Sequence, residues 1–136
     1  MLRTTLFLAL LFSLATITYA QNSVQWDKLE EVEYVKKGST WAPKFSAAVT
    51  QMDGQKVTMK GFMLPLDQAE KQTRFILGPQ PMAGCDFCLP GGALIEVQSD
   101  KGVTFTYEPV TITGVFVVAE DDPYGMFYRI TGAVKG

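Results

Sequence analysis

Apolar and polar residues alternate most clearly in the second half of this chain. From Lys56 the alternation puts Val57 and Met59 on one side and Thr58 and Lys60 on the other, until Gly61 breaks it and Phe62-Met63-Leu64 follow. That pattern predicts a strand over Lys56 to Leu64. Further strands are predicted over Thr73 to Leu77, Ala93 to Val97, Val110 to Val118 and Met126 to Ile130. Gly61 and Gly114 fall inside strands, where a glycine marks a bulge or tight bend of the kind small barrels use at corners. The turn into the last strand is Asp121-Asp122-Pro123-Tyr124-Gly125, and Asp53-Gly54 reads as a hairpin-turn dipeptide. These strands, about five in number, predict an all-β fold, a small barrel or a sandwich.

The N-terminal third is less regular. Trp26, Leu29 and Val32 are spaced three apart, as in a short helix, while Val32 and Tyr34 equally suit the start of a strand. Gly38-Ser39-Thr40 reads as a linker, after which Trp41-Ala42-Pro43 leads into Phe45 to Met52. Residues 1–20 have the make-up of a secretory signal: Arg3 as the positive start, an apolar run from Leu6 to Ile17, and Thr18-Tyr19-Ala20 as the cleavage site. The apolar run is shorter than the ~20 residues that span a bilayer. The expected organisation is a signal peptide over 1–20, an irregular, partly helical lead-in over 21–40 and a β-barrel domain over 41–136.

Removing the signal leaves 116 residues and costs only Arg3, so the mature chain carries 11 basic and 14 acidic residues. No basic patch is present to neutralise phosphates, which argues against nucleic acid as a partner. No later apolar stretch is long enough to span a membrane. The expected product is a soluble periplasmic protein in a compartment where disulfides persist.

Chemistry concentrates in Cys85-Asp86-Phe87-Cys88, which holds the only two cysteines of a chain without histidine. The commonest general base and metal ligand is therefore missing. The surrounding stretch from Gly78 to Gly92 is rich in proline and glycine and, at about fifteen residues, long for a connection between strands. A thioredoxin-like site would open a helix in a βαβ unit, but Pro90-Gly91-Gly92 blocks a helix here. Two readings stay open. A Cys85–Cys88 disulfide would stabilise by only ~2 kcal/mol and would mainly shape the loop. Alternatively, both cysteines act as thiolates on a metal, with Met82 or Asp86 completing the shell. Copper(I) accepts such soft, low-coordinate donors, whereas zinc wants four ligands and would need carboxylates or a second copy of the chain. Met63 is a further candidate sulfur, though methionines are more often core filler. Glu120-Asp121-Asp122 reads as a solvated turn. Trp26, Tyr34 and Trp41 are a candidate ligand surface, though packing of the lead-in against the barrel is the simpler reading. No catalytic base, nucleophile pair or cofactor motif is visible, so an enzyme is not expected.

With those residues set out, the chain resembles a family of bacterial exported proteins catalogued as domain of unknown function 3299. The matching stretches are Trp41-Ala42-Pro43-Lys44-Phe45, Asp53-Gly54-Gln55-Lys56-Val57, Gly61-Phe62-Met63-Leu64-Pro65-Leu66, Arg74-Phe75-Ile76-Leu77, and Cys85-Asp86-Phe87-Cys88 before Ile95-Glu96-Val97. The resemblance implies an OB-like five-stranded barrel and no established activity. It also implies genes placed near metal-uptake or permease-type transporter components, which supports a metal role, and the partner expected is a transporter or envelope protein. Some branches of the family carry cysteine, histidine and a proline run at this loop. This chain instead resembles the Cys-x-x-Cys branch, which keeps two candidate donors. The function expected is metal binding or trafficking with zinc or copper(I), as a monomer or a homodimer sharing the site. The alternative is a non-catalytic envelope interaction module whose loop is shaped by the disulfide.

Overall fold

The computed structural model describes residues 22–81 and 93–136. The sequence-predicted strands all form. They are β4 (Lys56–Pro65), β5 (Lys71–Gly78), β6 (Ile95–Thr104), β7 (Val110–Val118) and β8 (Tyr128–Lys135). Before them come β1 (Asn22–Ser23), α1 (Trp26–Glu30), β2 (Val32–Lys37), β3 (Thr40–Phe45) and α2 (Ala47–Met52). The sheet runs β1-β4-β5-β6-β8-β7, and the β4–β7 pairing closes it. Leaving out the two-residue β1, the five long strands form a closed barrel in the order first, second, third, fifth, fourth. The β6–β8 pairing is parallel and the other barrel pairings are antiparallel. This is the OB-like arrangement that the family resemblance implied, built from the strands that the alternation predicted.

Closure depends on two glycines. At Gly61, β4 changes partner: Gly61 pairs with Val110 of β7, and Phe62 with Gly78 of β5. A Cβ on Gly61 would lie 2.7 Å from the Gly78 carbonyl oxygen and 2.9 Å from both Leu77 Cγ and Trp26 Cζ2. At Gly114 the β7–β8 register shifts between Thr113 and Val115, so the predicted bend is a bulge.

The core is the inward face of this barrel. Val57 and Met59 are buried as the alternation required, with Phe75, Leu77, Ile95, Ile112, Phe116 and Ile130. Met63 is 5% exposed within this cluster, so its sulfur serves packing. Gln72 is fully buried, and its amide is satisfied by the turn it closes. It accepts from Leu66 N at 3.2 Å and donates to Asp67 Oδ1 at 2.8 Å, among other bonds.

Two local expectations are corrected. Asp53-Gly54 joins α2 to β4 and is not a β-hairpin turn. Ser46 caps α2, its Oγ accepting from Val49 N at 3.4 Å, and this short helix takes the place of an incoming strand. Gly38-Ser39-Thr40 is not a linker. Gly38 (φ +64°) and Ser39 form the two-residue turn of a β2–β3 hairpin, with Lys37 opposite Thr40. A glycine with positive φ followed by a residue without one is the type II′ pattern, whose twist matches that of a hairpin. The two lead-in readings are both realised, since α1 ends at Glu30 and β2 starts at Val32. Leu29 is buried in the core, and Trp26 Nε1 donates to the Lys60 carbonyl at 2.8 Å.

On the outer face, Arg74 makes a two-pronged contact with Glu96: Nε to Oε1 at 3.1 Å and Nη2 to Oε2 at 3.0 Å. Gln98 donates to the same carboxylate at 2.8 Å. The Arg74 bonds, with help from Gln98 and Arg129 against the cost of burial, hold Glu96 below the usual carboxylate range. A lowered carboxylate contributes stability that is complete above its unfolded-state pKa and is lost as pH falls through the folded one. Glu96→Gln is therefore expected to cost about 1 kcal/mol or less at neutral pH, because Arg74 is largely exposed and solvent screens the pair. The variant should also lose part of the acid-side slope between about pH 5 and pH 3, as read from melting temperature against pH.

Candidate functional site

Met82, Cys85, Asp86 and Cys88 lie outside the described residues. What is described is the chain that leads to and from them. β5 and β6 stay paired up to Leu77 opposite Ile95, so both ends of the connecting segment leave from one place on the barrel rim. At its far end, Ala93 and Leu94 line a groove of about 440 Å³.

The opposite wall of that groove comes from the lead-in, through Leu29, Val32 and Tyr34, and its third side from residues 124–128 before and at the start of β8. An aromatic cluster holds these segments together. Phe45 meets Phe127 and Tyr128 edge-on at centroid distances of 5.5 and 5.8 Å, and Phe116 stacks on Tyr128 at 5.7 Å. The Tyr128 hydroxyl donates to the Leu29 carbonyl at 2.8 Å, tying α1 to the barrel. Burial, with a smaller contribution from Tyr34, pushes the Tyr128 phenol up to about 12. The phenol therefore stays protonated and serves as a donor and anchor.

Tyr128→Phe removes this bond and strands a buried carbonyl, which should lower stability by about 1–2 kcal/mol. The native phenol titrates above its unfolded value, so its stabilising contribution is present below about pH 10 and falls as pH rises toward 12. The variant should lose that part of the alkaline slope in urea melts.

The rim is shaped by Asp122. Its Oδ1 accepts from the backbone N–H groups of Tyr124 (2.9 Å) and Met126 (3.1 Å), while Arg129 Nη2 donates to Oδ2 at 2.7 Å. This fixes a turn from which Tyr124 projects, 94% exposed. The acidic run Glu120 to Asp122 therefore includes a structural carboxylate, consistent with a turn. Of the three aromatics proposed as a ligand surface, Trp26 packs on the barrel. Tyr34 (58% exposed) and Trp41 (66%) face solvent on the β2–β3 hairpin. Lys56 and Lys60 point outward, as the alternation predicted.

The aromatic groove was not legible in the sequence, because its walls come from segments about thirty to one hundred positions apart. The nearest signal was the pair Phe127-Tyr128 opening the last strand. Among the described residues, no three His, Cys, Asp or Glu side chains lie close enough together to hold a metal ion. No described helix is long and apolar enough to cross a membrane.

Residues 15–127 match a family described as "Protein of unknown function (DUF3299)". No curated protein matches the chain. Among solved structures, the fold is similar to the crystal structure of a DUF3299 family protein from Pseudomonas aeruginosa PAO1. That protein is 20% identical, the similarity covers 87% of this chain and 97% of that one, and the TM-score is 0.55. At this identity the likeness speaks to fold, and it agrees with the barrel described above. The sequence match spans most of the chain, and the chain belongs to the DUF3299 family.

Proposed function

We propose that this chain is an exported, periplasmic accessory protein that binds a soft or borderline metal through Cys85 and Cys88 and passes it to a transporter or envelope partner. The observation that supports the reading is the tether. Paired strands hold both ends of the cysteine segment at one place on the rim, beside a groove with apolar walls. The donor chemistry fits copper(I) with Met82 as a third ligand, or zinc with Asp86 and a second copy of the chain in a homodimer. The role is non-catalytic.

Under reducing conditions, the mature protein should bind one equivalent of copper(I), or half an equivalent of zinc per chain if two copies share the ion. Cys85→Ser/Cys88→Ser should abolish binding while leaving the circular-dichroism melt unchanged. Undiminished binding by the double variant would sink the metal reading.

A second reading, an envelope interaction module with a disulfide-shaped loop, is favoured by a different observation. Tyr34, Trp41 and Tyr124 are large aromatic side chains left in solvent, and such residues are enriched where proteins meet partners.

A further inference from the structure

The β2–β3 hairpin stands apart from the barrel sheet, and among the described residues neither of its edges pairs with another strand. The two-residue turn makes Lys37 and Thr40 a hydrogen-bonded pair, and the alternation of an antiparallel ladder then fixes the rest. Val35 with Ala42 and Glu33 with Lys44 bond inward. The main-chain groups of Val32, Tyr34 and Lys36 therefore point outward along β2, and those of Trp41, Pro43 and Phe45 outward along β3. Proline has no N–H, so Pro43 removes the middle donor of the β3 edge, a common way of protecting an edge from pairing. The β2 edge has no such block. It also borders the groove, because Val32 and Tyr34 line it and no β3 residue does.

We infer that the outer edge of β2 takes an extended peptide segment of a partner protein as a third, antiparallel strand, with the partner's apolar side chains seated in the groove. This rests on the interaction-module reading and names its partner class. Charge sets the direction and register. Glu30 lies at the base of this edge and Lys36 near its tip, both exposed, and neither is in an ion pair among the described residues. An antiparallel strand would start opposite Lys36 and run past Val32 toward Glu30 at the end of α1. The complementary peptide carries an acidic residue first and a basic residue about six positions later, spanning roughly 20 Å.

The test uses the mature protein and two labelled heptapeptides, Glu-Thr-Val-Thr-Val-Thr-Lys and its charge-reversed form Lys-Thr-Val-Thr-Val-Thr-Glu, whose valines fall opposite Tyr34 and Val32 on the groove side. In the free protein, the Val32, Tyr34 and Lys36 amides should exchange fast and those of Glu33, Val35 and Lys37 slowly. The first peptide should bind, protect the outward amides and outcompete the second. Tyr34→Pro, which removes one outward donor, should weaken binding about five-fold or more. The exposed double swap Glu30→Lys/Lys36→Glu should reverse the preference between the peptides without depending on how a proline is accommodated. Protection of the outward amides in the free protein would mean that the chain covers its own edge, or a second copy does, and would overturn the inference. So would failure of both peptides to bind. A native envelope complex that survives both sets of substitutions would overturn strand addition while leaving the interaction reading intact. Recovery of no complex at all counts against both.

Discussion

Gly114→Val is expected to abolish the native barrel, with a loss of more than about 3 kcal/mol of stability. A Cβ at this position would lie 2.5 Å from Ile130 Cγ2, 2.7 Å from the Thr131 carbonyl oxygen and 3.2 Å from Ala133 Cα. The second and third of these are backbone atoms of β8 and cannot rotate away. Gly114 also pairs with Val57 of β4 on its other side, so β7 cannot simply shift outward without opening the barrel seam. Two branch methyls would worsen every one of these contacts. Gly38 makes a useful contrast. A Cβ there meets nothing within 4 Å, but the backbone is left-handed, so Gly38→Ala should cost only about 1–2 kcal/mol. Urea denaturation of the two variants separates a packing requirement from a conformational one. A Gly114→Val protein with a native melt would contradict the barrel closure described here.

Phe116→Ala is expected to cost about 3–5 kcal/mol, a large share of the stability of a domain this size. Phe116 is fully buried, and its ring stacks on Tyr128 at an interplanar angle of 26°. Its main chain is also engaged: its N–H donates to the Gln55 carbonyl at 2.9 Å, and its carbonyl accepts from Gly54 at 2.8 Å. Truncation leaves the backbone ladder in place and opens a cavity under Tyr128. The loss should therefore appear both as a lower denaturation midpoint and as faster exchange of the Tyr128 hydroxyl proton that is donated to the Leu29 carbonyl. Phe116→Leu, which refills most of that volume, should recover more than half of the loss.

The barrel was legible because its strands advertise themselves. Val57 and Met59 alternate with Thr58 and Lys60, and β7 begins and ends where the pattern said. Gly61 and Gly114 were legible as bends because a glycine has no other evident use in the middle of a strand. The hairpin was not, since Trp41-Ala42-Pro43 breaks the alternation and Gly-Ser-Thr has the composition of a linker. Its sheet is recognisable only once Lys37 and Thr40 are seen opposite one another. Strands β6 and β8 run further than their apolar cores, to Thr104 and Lys135, because strand pairing carries polar residues along with them: Gln98 lies opposite Arg74, Thr104 opposite Lys71 and Lys135 opposite Ile112. The cysteine pair stood out from composition alone. The groove beside its tether did not, because proximity between Leu29, Leu94 and Phe127 is a product of the closed fold.

The central proposal is that Cys85 and Cys88, in the segment that joins β5 to β6, act as thiolates. Mass spectrometry of the mature protein taken from its own compartment tests it most directly, comparing native conditions with denaturing, thiol-alkylating ones. Two alkylated thiols, with a metal adduct in the native spectrum, are the predicted result, and the native mass then tells whether one chain or two hold the ion. A chain two hydrogens lighter, with no alkylation and no adduct, would contradict the claim and leave a disulfide-shaped interaction surface in its place.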